Sequence, residues 1–173
     1  MKNVLKFSGL ISLVLAAIAF ILMMASPAVV YTSGSTTTSF AGTLAIFGGD
    51  IDAAQMLILA RTDPAAPSVL ALIGWILLLV GMIIVLLGVI LPLLKINALE
   101  KFAGLLNLIA VVCIVLAGVF MFIVVPTFFG ANGRDVPDNA AIGAGWVIGG
   151  ILAIAGGVFA ILPAAMDFIG KKK

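Results

Sequence analysis

The stretch SVLALIGWILLLVGMIIVLLGVILPLL, residues 68–94, carries no charge and is longer than a membrane crossing requires. A helix of ~20 apolar residues rising ~1.5 Å each already crosses a ~30 Å hydrocarbon core. Three further runs of the same kind accompany it, at residues 7–31, 102–125 and 141–166. All four read as transmembrane helices.

The basic residues orient these spans. Lys2 and Lys6 precede the first, Lys95 and Lys101 bracket the link 95–101, and Lys171, Lys172 and Lys173 follow the last. The alternate connections hold Arg61 and Arg134 among Asp50, Asp52, Asp63, Asp135 and Asp138. Lysine-rich segments stay cytoplasmic, so both termini and the link are predicted inside, with loops 32–67 and 126–140 outside. The predicted fold is an all-α integral membrane protein, a four-transmembrane-helix bundle of two tandem hairpins forming a single domain over 1–173. With 64% hydrophobic and 9% charged residues, no separate soluble domain fits. The first apolar run exceeds a usual signal-peptide core, so an uncleaved span is expected despite the Ala25-Ser26-Pro27-Ala28 sequence at its end. No Asn-x-Ser/Thr sequon occurs. A multi-pass place in a cell membrane is predicted, a bacterial one being favoured.

The first outer loop is the least generic segment. Val29-Val30-Tyr31-Thr32, a Ser33-Gly34-Ser35 turn and the β-branched and aromatic stretch 36–47 predict a β-hairpin closed by Gly48-Gly49. Asp52 is a predicted N-cap for a short helix running to Arg61. Phe40, Leu44, Ile46, Phe47, Met56, Leu57 and Leu59 are too many apolar residues for an idle loop. They are expected to pack on the bundle's outer mouth or on a partner, forming the interaction surface. Loop closure alone would let a short linker replace 36–59 without unfolding the spans. The second loop reads as turns, with Gly130, Asn132-Gly133 and Asp138.

This layout of a long strand-and-helix first loop, a shorter second loop and inner termini resembles that of the claudin-type tetraspans. The resemblance is one of topology. The claudin first-loop Trp, Gly-Leu-Trp and paired cysteines are absent here, so no functional residue carries over.

The chain also repeats itself. Lys6-Phe7-Ser8-Gly9-Leu10 matches Lys101-Phe102-Ala103-Gly104-Leu105, and Gly74-Trp75 with Ile90-Leu91-Pro92 matches Gly145-Trp146 with Ile161-Leu162-Pro163. A duplicated hairpin predicts an axis along the membrane normal. Ser12 and Asn107 are equivalent in that repeat and are expected to hydrogen-bond near the axis. Gly145, Gly149, Ala153 and Gly157 form a predicted packing stripe on the fourth span, for contact within the chain or in a homodimer, and Gly156 with Ala160 forms a second. Span two, with Gly81 and Gly88, is expected to present mainly lipid-facing surface.

The spans hold no Asp, Glu, Lys, Arg or His, which argues against proton-coupled pumps and voltage sensors. Histidine is absent and Cys113 is alone, so no catalytic residue, cofactor site or metal site is predicted. Asp50, Asp52, Asp135 and Asp138 could offer oxygens to Ca²⁺, but Asp-x-Asp lacks the rest of a calcium loop and reads as turn and cap chemistry. Nucleic acid is excluded as a partner for want of a basic stripe. The expected partners are the lipid bilayer and a membrane protein or a homo-oligomer. The expected function is non-enzymatic association through the first outer loop. A small transporter or channel subunit completed by oligomerisation is the alternative.

Overall fold

The computed structural model describes the backbone of residues 2–93 and 103–170, and the side chains of residues 7–90 and 104–161. Lys95, Asn97, Glu100, Lys101 and the terminal lysines lie outside the described residues, as do the side chains of Lys2 and Lys6. The elements run α1 (Lys2–Ala25), β1 (Pro27–Ser33), β2 (Thr36–Ala41), α2 (Gly42–Phe47), α3 (Ala53–Leu59), α4 (Val69–Leu93), α5 (Ala103–Phe122), α6 (Val124–Ala131), β3 (Ala140–Ile142) and α7 (Ala144–Gly170). Among the described residues, four helices are long and apolar enough to cross a membrane, over Phe7–Ala25, Val69–Ile90, Gly104–Phe122 and Ala144–Ile161.

Three span ends differ from the sequence reading, each for a local reason. The first helix ends at Ala25 rather than at residue 31, because Pro27 disfavours helical geometry in Ser26 and begins β1. The third breaks at Ile123, where the ring of Pro126 would meet the carbonyl of Phe122 in a continuous helix. Pro126 instead falls in the first turn of α6, where a missing N–H costs nothing. Residues 140–142 at the head of the fourth run form a strand, not helix.

The long helices form a ring in which α1 and α5 each pack against α4 and α7. The α5–α7 and α1–α7 faces are the most extensive and α1–α4 the sparsest, so the two hairpins are unequal in packing. Small residues permit the closest approaches. The predicted stripe on α7 splits between two partners, because a four-residue step drifts about 40° around a helix. Gly145 and Gly156 face α1, where a methyl on Gly156 would lie 3.2 Å from the Ser12 carbonyl, and Gly149 sits between Met121 of α5 and Ala19 and Leu22 of α1. Gly150, Ala153 and Gly157 face α5, with Gly118 of α5 opposite the first two. On α4 three glycines at seven-residue spacing, Gly74, Gly81 and Gly88, lie against α5 beside Phe120, Ile114 and Asn107. This helix is therefore a packing element on one side, while Ile73, Ile76, Val80 and Ile83 are exposed on the other.

At one end of the ring sits a cap. Its sheet has the order β2-β1-β3, antiparallel throughout. Gly34, with φ of 60°, occupies the first central position of the two-residue turn between Ser33 and Thr36. A glycine at positive φ there gives a hairpin turn whose twist matches the strands. The stretch 42–47, expected to continue the strand, turns helical as α2. A chain bond explains the change of direction: Gly42 N–H donates to the Ser26 carbonyl at 2.9 Å, drawing the backbone back to the end of α1.

Candidate functional site

The cap is built where α1 stops. The last carbonyls of a helix have no partner within it, and in an apolar setting each must find one elsewhere. The Leu22 carbonyl is met by both the N–H and the hydroxyl of Ser26. The natural partner for Met23 would be the N–H of residue 27, but proline has none. Trp146 Nε1, from the first turn of α7, donates to Met23 O at 3.1 Å instead. Gly143 N–H then donates to Ala28 O at 2.9 Å, leading β3 onto β1. Pro27 thus leaves one carbonyl to α7, and the bonds from Gly42 to Ser26 O and from Gly143 to Ala28 O close the same junction.

Aromatic residues fill the space above it. Phe40 of β2 is fully buried, with its ring centroid 5.3 Å from that of Phe128 and 6.2 Å from that of Phe129 on α6. Leu44 and Ile46 of α2 and Leu59 of α3 are buried as well, and Met56 packs partly against the same core. Residues 36–59 therefore supply part of a core that also includes Phe128, Phe129 and Trp146. A flexible linker in their place would uncover those aromatics, so loop-closure entropy alone is a poor guide to the effect of deleting this segment.

The first loop is stitched to the second by Asn132, whose amide makes four hydrogen bonds. Its Oδ1 accepts from Ala66 N at 2.8 Å and Arg61 Nη1 at 2.9 Å, and its Nδ2 donates to Ala66 O at 3.2 Å and Phe128 O at 2.8 Å. Two donors on the oxygen and two acceptors on the nitrogen use all of the group's capacity. A hydroxyl relay runs close by: Ser68 donates to Thr127 at 2.8 Å, and Thr127 to the carbonyls of Ile123 and Val124. Sequence reasoning saw Asn132-Gly133 only as a turn, since nothing local marks the amide's long-range partners. Asn132→Ala is expected to cost about 1–3 kcal/mol by leaving the part-buried Ala66 N–H and carbonyl without partners, while Phe128 O keeps its bond from the backbone N–H of residue 132. A drop in the unfolding midpoint of the detergent-solubilised protein would check this.

The remaining predicted residues fall as follows. Phe47 and Leu57 are left on the surface, 48% and 82% exposed. Phe47 meets Trp75 edge to face with ring centroids 5.2 Å apart, and Trp75 in turn lies 6.0 Å from Phe20. Asp52 caps α3, accepting from Gln55 N at 2.8 Å while Gln55 Oε1 accepts from Asp52 N–H at 3.1 Å. Gln55 Nε2 also donates to Ser39 O at 2.7 Å, which holds α3 along β2. The expected Ser12–Asn107 hydrogen bond is not formed. Ser12 Oγ is buried without a partner, and Asn107 faces Gly88 of α4, because α1 and α5 stand across the ring from one another. Among the described residues, no three His, Cys, Asp or Glu side chains gather as a metal site.

Between β2, α2 and α3 a surface cleft of about 350 Å³ opens, lined by Ala41, Thr43, Leu44, Phe47, Gly48, Gly49, Asp50 and Gln55. Its floor is apolar and its rim carries one carboxylate. Gly48 and Gly49 shape it with positive φ values of 71° and 141°, and Gly49 and Ala65 exchange two backbone hydrogen bonds beneath it. The arrangement offers a shaped surface bearing a hydroxyl, a carboxylate and an amide. The sequence matches no protein-family model and no curated protein.

Proposed function

We propose that this is a non-enzymatic, multi-pass tetraspan of the cell membrane that acts by lateral or extracellular association through its first outer loop. Both termini are cytoplasmic, the cap faces outward, and a bacterial membrane is the favoured setting. The observation that carries the reading is the pair of large apolar side chains, Phe47 and Leu57, left exposed on a cap that buries Phe40, Leu44, Ile46 and Leu59. Contiguous exposed apolar surface marks contact sites, and two such large side chains on one small cap favour that reading. The orientation rests on the lysine distribution. The non-enzymatic reading is supported by the lack of histidine and of any cysteine besides Cys113.

The test is purification in mild detergent with mass measurement. A stoichiometric partner protein supports association; a defined homo-oligomer that conducts a solute supports the transporter or channel alternative. The close-packed inner faces, with Ala16, Ala19, Leu78, Ile114 and Ala117 buried, favour the first. Leu57→Glu is expected to release the partner while changing stability by less than about 0.5 kcal/mol, since the side chain is 82% exposed. Retention of every partner by this variant would move the contact surface elsewhere.

Orientation is tested by cysteine labelling with an impermeant maleimide in a Cys113-free background. Cysteines at Ser35 and Asp138 are expected to react from outside and one at Asn97 is not. Asn132 in the same loop is unsuitable as a labelling position because its side chain is buried and bonded.

A further inference from the structure

We infer that the tip of the β1–β2 hairpin, residues 32–39, is an acceptor site for O-linked sugar. The inference rests on the cap facing outward, as proposed above.

Residues 32–39 read Thr-Ser-Gly-Ser-Thr-Thr-Thr-Ser, so seven of the eight carry a hydroxyl. All are exposed except Thr38, which is half-buried, and among the described residues none of the seven hydroxyls has a hydrogen-bond partner. Elsewhere the chain puts its hydroxyls to use: Ser26 on Leu22 O, Ser68 on Thr127 and Thr127 on Ile123 O. The tip also stands clear of the rest, since a methyl on Gly34 would meet nothing within 4 Å.

The register decides which hydroxyls lead. Phe40 is fully buried and side chains alternate across a strand, so Thr36 and Thr38 share its inner face while Thr37 and Ser39 point outward. Thr32 of β1 pairs with Thr37 and shares that outer face. Thr32 and Thr37 are therefore the leading acceptors.

β2 is also an edge strand. A free edge invites pairing with another chain, and proteins blunt it with lysine, proline, a bulge or a cover. Here the Gln55 side chain covers Ser39 O, and the register shift lies at the base of the hairpin, between Pro27 and Val29. Residues 36–38 have neither charge nor proline, and no charged residue occurs between Lys6 and Asp50. A bulky, hydrated sugar on Thr37 supplies the guard that the sequence omits and displaces no buried contact.

The charge-free setting also selects the modification. A phosphate would meet no lysine or arginine in this run, and its usual donor is a cytoplasmic nucleotide. A sugar asks only for exposed hydroxyls, and hydroxyl-rich segments are acceptors of O-glycans. The donor class is a sugar on a polyprenyl phosphate, presented on the outer side of the membrane. Threonine Oγ bonds to the anomeric carbon as the bond from that carbon to the phosphate oxygen breaks. The phosphate leaves with the electron pair, and the hydroxyl proton passes to a base of the transferase.

The test takes the full chain from its native membranes and cleaves it with chymotrypsin, whose cuts after Tyr31 and Phe40 release residues 32–40 as one fragment. Mass spectrometry is expected to find this fragment heavier by whole sugar units, with the added mass lost on mild alkaline β-elimination. Thr32→Val combined with Thr37→Val keeps β-branched side chains in both strands and should remove most of that mass while helix content stays the same. Labelling of Asp138→Cys from outside separates this inference from the orientation beneath it. A bare fragment from a protein that is labelled overturns the glycosylation and leaves the orientation standing. A bare fragment from a protein that is not labelled overturns both. An added mass that is not sugar, or sugar fully retained by the double variant, overturns the assignment to these hydroxyls.

Discussion

Gly42→Leu will stop the cap from seating on the long helices, with a loss of more than about 3 kcal/mol or outright failure to fold. A Cβ at this position would run into the Met23 carbonyl and lie 2.9 Å from both the Ser26 carbonyl and Trp146 Nε1. Two of these obstacles are backbone and the third is a fully buried indole, so none can rotate away. Moving Gly42 outward instead would break its N–H bond to Ser26 O. The matched control is Gly130→Ala. A methyl there meets nothing within 4 Å, and the residue lies in α6, so the exchange should be neutral or stabilise by about 0.5–1 kcal/mol. Reversible unfolding in mixed micelles, followed by circular dichroism, would compare the two. A Gly42→Leu protein with a native midpoint would mean that the junction is not as tight as described.

Trp146→Ala is expected to cost about 3–5 kcal/mol, the range for emptying a large aromatic site in a core. Trp146 heads the set of fully buried large side chains, and its neighbours include the end of α1 and Gly42. The indole has two separable jobs, filling space and supplying the donor that Pro27 lacks. Trp146→Phe keeps much of the first and removes the second, leaving Met23 O without its 3.1 Å partner. That variant should lose about 1–3 kcal/mol, the cost of one unsatisfied buried carbonyl. A Phe variant as damaged as the Ala variant would make the hydrogen bond dominant; one equal to wild type would make it dispensable.

Both predictions concern one junction, and the same junction couples the cap to the helices. Ser26, Pro27 and Ala28 touch α2, β3 and α7 through Gly42, Gly143 and Gly145. The exposed Phe47 lies on α2, a few residues from Gly42. Its position should therefore hold only while the junction is closed, so variants of Trp146 are expected to weaken any association through the cap along with stability.

Residues 68–94 and their three companions announce long apolar helices with no help from tertiary structure, because length and absence of charge are properties of the chain alone. The same holds for α3, whose Asp52 cap and Gln55 form a box within four residues, and for the hairpin turn at Gly34. Other features depend on partners distant in sequence. The strand β3 spans three residues and exists because β1 offers it a free edge. The glycine stripe on α7 was visible, but its division between α1 and α5 follows from helix rotation and from which neighbours stand there. Ser12 and Asn107 matched in sequence yet lie apart, since equivalence in a repeat does not imply contact. Of the seven apolar residues in the first loop, only packing decided which were core: Phe40, Leu44, Ile46 and Leu59 turn inward with Met56 beside them, while Phe47 and Leu57 stay out. Composition marks a residue as apolar, but its neighbours across the chain determine whether water, lipid or protein covers it.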